Sequence, residues 1–204
     1  MINRWGATPE DWAHFKERVP RDLLPVVSRP DAELSAGSRL KGLGKTPSRY
    51  NAEGRVVGLP DWTSIEATNR QIEAWAREPD YGICVQTRYW RALDIDVGDA
   101  KRAQAIADVF DLTGMCPVRV RAGSGKRALV RPGRHELLDG GIVELLATGQ
   151  QFVAAGTHPS GERYLWPAGL PEPPVWSIEQ VEAAWSAVVD AFGTDAEVGE
   201  AVAA

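Results

Sequence analysis

The 204-residue chain predicts an α+β fold: a largely antiparallel central sheet flanked by helices. Two observations carry that prediction. Capped amphipathic helices open and close the chain, and between them short apolar runs alternate with Gly, Ser and Pro turns of the kind that join neighbouring strands. The sequence reads as one domain over residues 1–192, followed by a frayed tail of small and acidic residues over 193–204.

Thr8-Pro9-Glu10-Asp11 starts a helix with a hydroxyl cap, proline at the first helical position and acids in the first turn. Trp12, Phe15 and Val19 then recur at helical spacing. Residues 28–61 are rich in Gly, Pro, Ser and charge, and read as loops with one or two short strands. Thr68-Asn69-Arg70-Gln71 fits a capping box opening a helix that presents Ile72 and Trp75 and ends before Pro79. Gly82 to Val85 and Ala92 to Val97 read as buried strands. Asp99 starts a helix carrying Ile106, Val109 and Phe110, which stops at Gly114.

Val118 to Ala122 and Ala128 to Arg131 read as paired strands joined by Gly123-Ser124-Gly125. Ile142 to Leu146 and Gln151 to Ala154 read as a second hairpin, and Arg163 to Trp166 as a short strand. Pro171 to Pro174 is a stiff linker. Ser177-Ile178-Glu179-Gln180 caps a last helix with Ile178, Val181, Trp185, Val188 and Phe192 on one face.

No stretch approaches the ~20 apolar residues that cross a bilayer, and the first residues lack the pattern of a signal peptide. Cys84 and Cys116 are far apart in apolar contexts, so they read as reduced core thiols of a cytoplasmic protein, and a zinc site of the usual kind is excluded. Net charge is −5, so attraction to a polyanion must come from local patches. One patch is the acid-free stretch from Pro117 to His135, with Arg119, Arg121, Lys126, Arg127, Arg131 and Arg134. A second follows Glu33, with Arg39, Lys41, Lys45 and Arg49. Singly, these are solvated surface charges; together they suggest a focused phosphate-binding surface.

The chemistry concentrates at Arg91-Ala92-Leu93-Asp94-Ile95-Asp96-Val97. Successive side chains of a strand point to opposite faces, so Asp94 and Asp96 share one face and Leu93, Ile95 and Val97 take the other. Neighbouring anions repel, and a hard divalent cation such as Mg²⁺ or Mn²⁺ between them makes the arrangement favourable. The plainer alternative is a strand ending at a polar rim. Glu144, inside the apolar run Ile142 to Leu146, needs a metal or a partner such as a nearby arginine. With it, three acids reach the minimum for a two-metal phosphoryl-transfer site.

Between the acidic elements lies Gly123-Ser124-Gly125-Lys126-Arg127, whose glycines admit an anion to backbone N–H groups. It lacks P-loop spacing and is equally common in hairpin turns. His158, in Gly156-Thr157-His158-Pro159-Ser160-Gly161, meets either a phosphate or its own tight turn. The tryptophans at 12, 62, 75 and 185 read as core.

In order and spacing, several segments together resemble the N-terminal domain of bifunctional DNA primase/polymerases, a branch of the archaeo-eukaryotic primase superfamily found in phage and plasmid replicases. They are Gly44-Lys45-Thr46-Pro47, Leu93-Asp94-Ile95-Asp96-Val97, Gly123 to Arg127, Val143-Glu144-Leu145-Leu146, and Gln151 to Gly161 with Tyr164 and Trp166. The resemblance spans about residues 40–170. It implies an archaeo-eukaryotic primase-like catalytic core and a nucleotidyltransferase that extends or primes DNA on a single-stranded template.

By that resemblance Asp94, Asp96 and Glu144 are the metal-binding acids, for Mg²⁺ or Mn²⁺. Ser124, Lys126 and Arg127, with His158, would bind the incoming NTP or dNTP. The family's usual pattern has a histidine near the end of the glycine-rich motif, and Arg127 stands at the matching position. Lys45, Arg119, Arg121 and Arg131 are the candidates for contact with the template, and a helicase domain is the expected downstream partner in the full-length protein. The expected location is the cytoplasm of a bacterial or phage-infected cell, with no membrane partner. Two other classes share part of the constellation. A metal-dependent nuclease needs the acids but no triphosphate grip, and a catalytically inactive single-strand-binding module needs neither.

Overall fold

The computed structural model describes residues 5–111, 114–121, 127–132, 138–139, 143–170 and 172–192, with 127–132 and 138–139 described as backbone. In chain order the elements are α1 (Pro9–Arg18), β1 (Leu23–Val27), β2 (Ser48–Tyr50), β3 (Val56–Gly58), α2 (Asn69–Arg77), β4 (Tyr81–Gln86) and β5 (Trp90–Ile95). There follow α3 (Ala100–Phe110), β6 (Val118–Arg121), β7 (Arg127–Pro132), β8 (Leu138–Asp139), β9 (Val143–Leu146), β10 (Gln151–Ala155), β11 (Tyr164–Leu165) and α4 (Ile178–Phe192). The class is α+β, with antiparallel pairing between all the strands whose registers are given.

The chain forms two compact units. One takes the residues up to Arg88 together with Gly149–Tyr164, and the other takes Tyr89–Thr148 with the residues from Leu165 on. In the first unit a three-stranded sheet has the order β1-β4-β10, and β2 pairs with β3 separately. Every residue of β1 and β4 is buried. Local signals set its helices: Thr8 and Thr68 each cap through a reciprocal capping box, and α1 has proline in its first turn. Trp12 of α1 meets Trp75 of α2 with ring centroids 6.3 Å apart.

Glycines let this unit close tightly. A Cβ on Gly82 of β4 would lie 2.5 Å from Ser28 Oγ and 2.6 Å from the Ala155 carbonyl oxygen, inside contact distance. Beside it the Tyr50 hydroxyl donates to Asp80 at 2.8 Å, and Tyr50 stacks on Tyr81 at 5.8 Å. Burial, then the bond to Asp80, holds the Tyr50 hydroxyl well above the ordinary tyrosine range.

In the second unit the sheet order is β11-β6-β7-β5-β9-β8. Leu93, Ile95, Val143 and Leu145 form a core with Ala103, Ile106, Phe110, Val181, Ala184 and Val188, so α3 and α4 cover one sheet face. Phe110 and Trp176 meet within that core at 5.5 Å. Asp99 caps α3 by accepting from the Arg102 N–H at 2.7 Å, and Ser177 and Gln180 cap α4 reciprocally. Cys84 and Cys116 are both buried free thiols.

Three expectations are corrected. The strand β1 falls where no strand was foreseen; Pro25 interrupts the strand signal, and it is tolerated because β1 is an edge strand. The segments 142–146 and 151–154 are not a hairpin, because β9 pairs with β5 and β10 pairs with β4, in different sheets. Ile178, expected on the buried face of α4, is 47% exposed. The turn Gly123-Ser124-Gly125 and the tail 193–204 lie outside the described residues.

Candidate active site

The strand registers of the second unit set two kinds of row across the sheet. Val118, Leu129, Leu93, Leu145 and Leu138 align on successive strands and form an apolar row. One residue further along, Arg119, Ala128, Asp94, Glu144 and Asp139 align instead. Since a shift of one residue exchanges the faces of a strand, the second row belongs to the face opposite α3 and α4. A continuous apolar row beside a charged one is the pattern of a sheet with one face committed to the core.

Asp94 and Glu144 are direct cross-strand partners. Such partners have Cβ atoms roughly 4.5–5.5 Å apart, and like charges there destabilise the sheet. Both residues are partly exposed, while their neighbours Leu93, Ile95, Val143 and Leu145 are buried. Asp96 lies just past the end of β5 and is exposed. Arg119 is only 8% exposed, and its Nη2 is 3.7 Å from Asp94 Oδ1. Arg119, expected as a contact for template, is thus buried with its guanidinium beside an acid.

Among the described residues no three His, Cys, Asp or Glu side chains are gathered closely enough to enclose a metal ion. The donor set nevertheless fits one mode of binding. Mg²⁺ is held through one or two carboxylates, with water and substrate phosphates completing its octahedron. The hard oxygens of Asp94 and Glu144, residues aligned across the strands and partly exposed, suit that mode, with Asp96 beyond the strand end as a further donor. They do not suit a closed cage.

Arg127 is in register with Ile95 and Val120, one residue out of step with the acids, and Ala128 is the residue of β7 aligned with Asp94. Arg131 aligns with Arg91. Arg121, partly buried, ends β6. Ser124 and Lys126 lie outside the described residues.

Lys45 and His158 belong to the first unit. Lys45 is exposed, and its carbonyl accepts from Gln151 Nε2 at 2.6 Å. His158 sits in the turn that its sequence suggested: its Nδ1 accepts from the Ser160 N–H at 3.1 Å, and Ser160 Oγ in turn donates to Glu162. Ser160 Oγ also lies 2.5 Å from Nδ1, so the turn occupies that nitrogen.

Sequence reading had not singled out Ala128 and Asp139 in the charged row, nor the pairing of Arg119 with Asp94. The alternation Val118-Arg119-Val120-Arg121 was the available signal, since it sets both arginines on one face. Only the register of β6 against β7 and β5 brings Arg119 to the acids.

A family model described as bifunctional DNA primase/polymerase, N-terminal, matches residues 17–176, most of the chain and parts of both units. The chain belongs to this family. Membership of the bifunctional DNA primase/polymerases carries, in general terms, DNA primase and polymerase activity of the nucleotidyltransferase kind. The matched span contains Asp94, Asp96 and Glu144. No curated protein matches the chain. Among the described residues of this primase/polymerase domain, no helix is long and apolar enough to cross a membrane.

Proposed function

We propose that the chain catalyses template-directed nucleotidyl transfer at the Asp94–Glu144 face, using Mg²⁺ or Mn²⁺. The observation that supports this most is the cross-strand alignment of two carboxylates on the sheet face that α3 and α4 leave uncovered. In the reading, Asp94, Glu144 and Asp96 would hold the ion, which would supply positive charge for the attacking primer oxygen and the departing pyrophosphate. The face that α3 and α4 leave uncovered gives room for the nucleotide phosphates.

Ser124, Lys126 and Arg127, at and before the start of β7, would grip the triphosphate of an NTP or dNTP, Lys as a point charge and Arg bidentately. His158 would add a contact to the same class of anion. Lys45, Arg121 and Arg131 would track single-stranded template through its phosphates, in a salt-dependent way. A phage or plasmid replication role accords with the resemblance.

The test is incorporation of labelled nucleotide on a primed template with Mn²⁺. We expect extension by the wild-type protein and none by Asp94→Ala of unchanged far-UV circular dichroism. Extension by a folded Asp94→Ala protein would overturn the metal role. Degradation of the labelled strand in the absence of nucleotide would instead favour a nuclease.

A further inference from the structure

The registers put a buried cation into the acid row, and we infer that Arg119 is a built-in counter-cation that competes with the divalent ion for Asp94. The inference rests on the reading of Asp94 and Glu144 as metal-binding acids. It adds that the ion-free site is already charge-compensated, so metal binds weakly until nucleotide arrives with it.

Three observations carry this. First, burial and exposure are inverted across the pair: the Arg119 side chain is 9% exposed and that of Asp94 is 40% exposed. The guanidinium is therefore the buried member of the pair and the carboxylate the more exposed one. Second, the two residues are not neighbours in register. Ala128 of β7 lies between them, and the backbones of β6 and β5 are two strand spacings apart, about 9.6 Å. The long Arg119 side chain spans that gap.

Third, the ion pair is loose. The Arg119 Nη2–Asp94 Oδ1 separation of 3.7 Å exceeds the ~2.7–2.9 Å of a charge-assisted hydrogen bond. The arrangement offsets the repulsion between Asp94 and Glu144, which face each other directly. A divalent ion brought to the same carboxylate adds positive charge beside a buried guanidinium. Like charges oppose each other there, so the two cations bind Asp94 antagonistically. A nucleotide triphosphate arriving with its ion supplies the negative charge that lets both cations remain.

The experiment is Mn²⁺ binding to the nucleotide-free protein by calorimetry, with the thermal shift on adding Mn²⁺ as the second readout. Arg119→Gln should bind Mn²⁺ about tenfold more tightly than wild type, the ordinary size of a coupling between two ligands of one site. It should melt lower without metal and gain more from metal. Arg119→Lys, which keeps the charge, should return toward wild-type affinity. Unchanged or weaker Mn²⁺ binding in folded Arg119→Gln overturns the inference, since a structural arginine would move the melting temperature alone.

If Arg119→Gln does not fold, the Arg119 Nε–H resonance of the wild-type protein decides. It should shift on titration with Mg²⁺, and an unmoved resonance at saturation overturns the inference. Wild-type protein that extends primers while Arg119→Gln keeps wild-type Mn²⁺ affinity sinks this inference and leaves the function standing. Wild-type protein that binds no Mn²⁺, with or without nucleotide, removes both.

Discussion

The two units hold sheets of opposite character. In the first, β4 is buried along its whole length between β1 and β10, and polar groups are tied off locally, as where Tyr50 donates to Asp80 and Arg88 pairs with Asp22 at 2.7 Å. In the second, β9 is buried except at Glu144 and β5 except at Asp94, so the residues that break the burial are charged. A sheet buried on both sides has no position at which an acid can meet a substrate. In the second sheet the break in burial falls at the cross-strand pair Asp94 and Glu144, and there the chemistry can collect without weakening the core.

Adjacent residues of β9 give the sharpest way to break this contrast. Leu145→Ala empties a site in the packed face and should cost about 2–5 kcal/mol in urea unfolding. Glu144→Ala, one residue away, should abolish nucleotide incorporation, a loss of about 10³-fold or more if several kcal/mol of charge stabilisation disappears. It should leave the melting temperature unchanged or raised, because it removes one of two facing anions. Equal stability losses at both positions would mean that the second sheet, like the first, is packed on both faces.

A smaller effect is expected in the first unit. Gly82→Ala drives a methyl group against Ser28 Oγ and the Ala155 carbonyl, and should destabilise by about 1–3 kcal/mol as an overpacking change. Its Mn²⁺ affinity should be unaltered, which a calorimetric titration would check.

The smallest effect is alkaline. Tyr50 and Tyr81 both have hydroxyl pKa values raised, Tyr50 by burial and its bond to Asp80, Tyr81 chiefly by burial. The folded state then keeps protons that the unfolded chain loses, so this contribution is intact below the unfolded tyrosine pKa of about 10 and falls as pH rises past it. Tyr50→Phe should flatten the decline measured by denaturant unfolding from neutral to alkaline pH. An unchanged slope would mean that Tyr50 ionises as freely in the fold as outside it.

Much of the fold was legible because its signals are local. The capping boxes at Thr8, Thr68 and Ser177 involve residues three apart, and each forms as its residues suggest. Strand partnership is not local. Thr148-Gly149-Gln150 has the chemistry of a hairpin turn, yet the strands it joins find partners in different sheets. The same limit divides the site. The alternation around Asp94 announces its face, but its alignment with Glu144, some fifty residues on, depends on a register that no short segment encodes. Arg119 was read as a template contact because its neighbours are basic, and its place beside Asp94 follows from the pairing of β6 with β7 and of β7 with β5.

The interleaving of the units has a consequence for synthesis. β4 is complete at Gln86, but its second partner β10 begins only at Gln151, after most of the other unit has been made. On the ribosome the growing polypeptide therefore presents Ile83 and Val85 with one flank of hydrogen-bonding groups open for several seconds, at ~5–20 residues per second. An unsatisfied apolar edge of that kind is a template for aggregation, so slow translation without chaperones should lower the soluble yield of this chain.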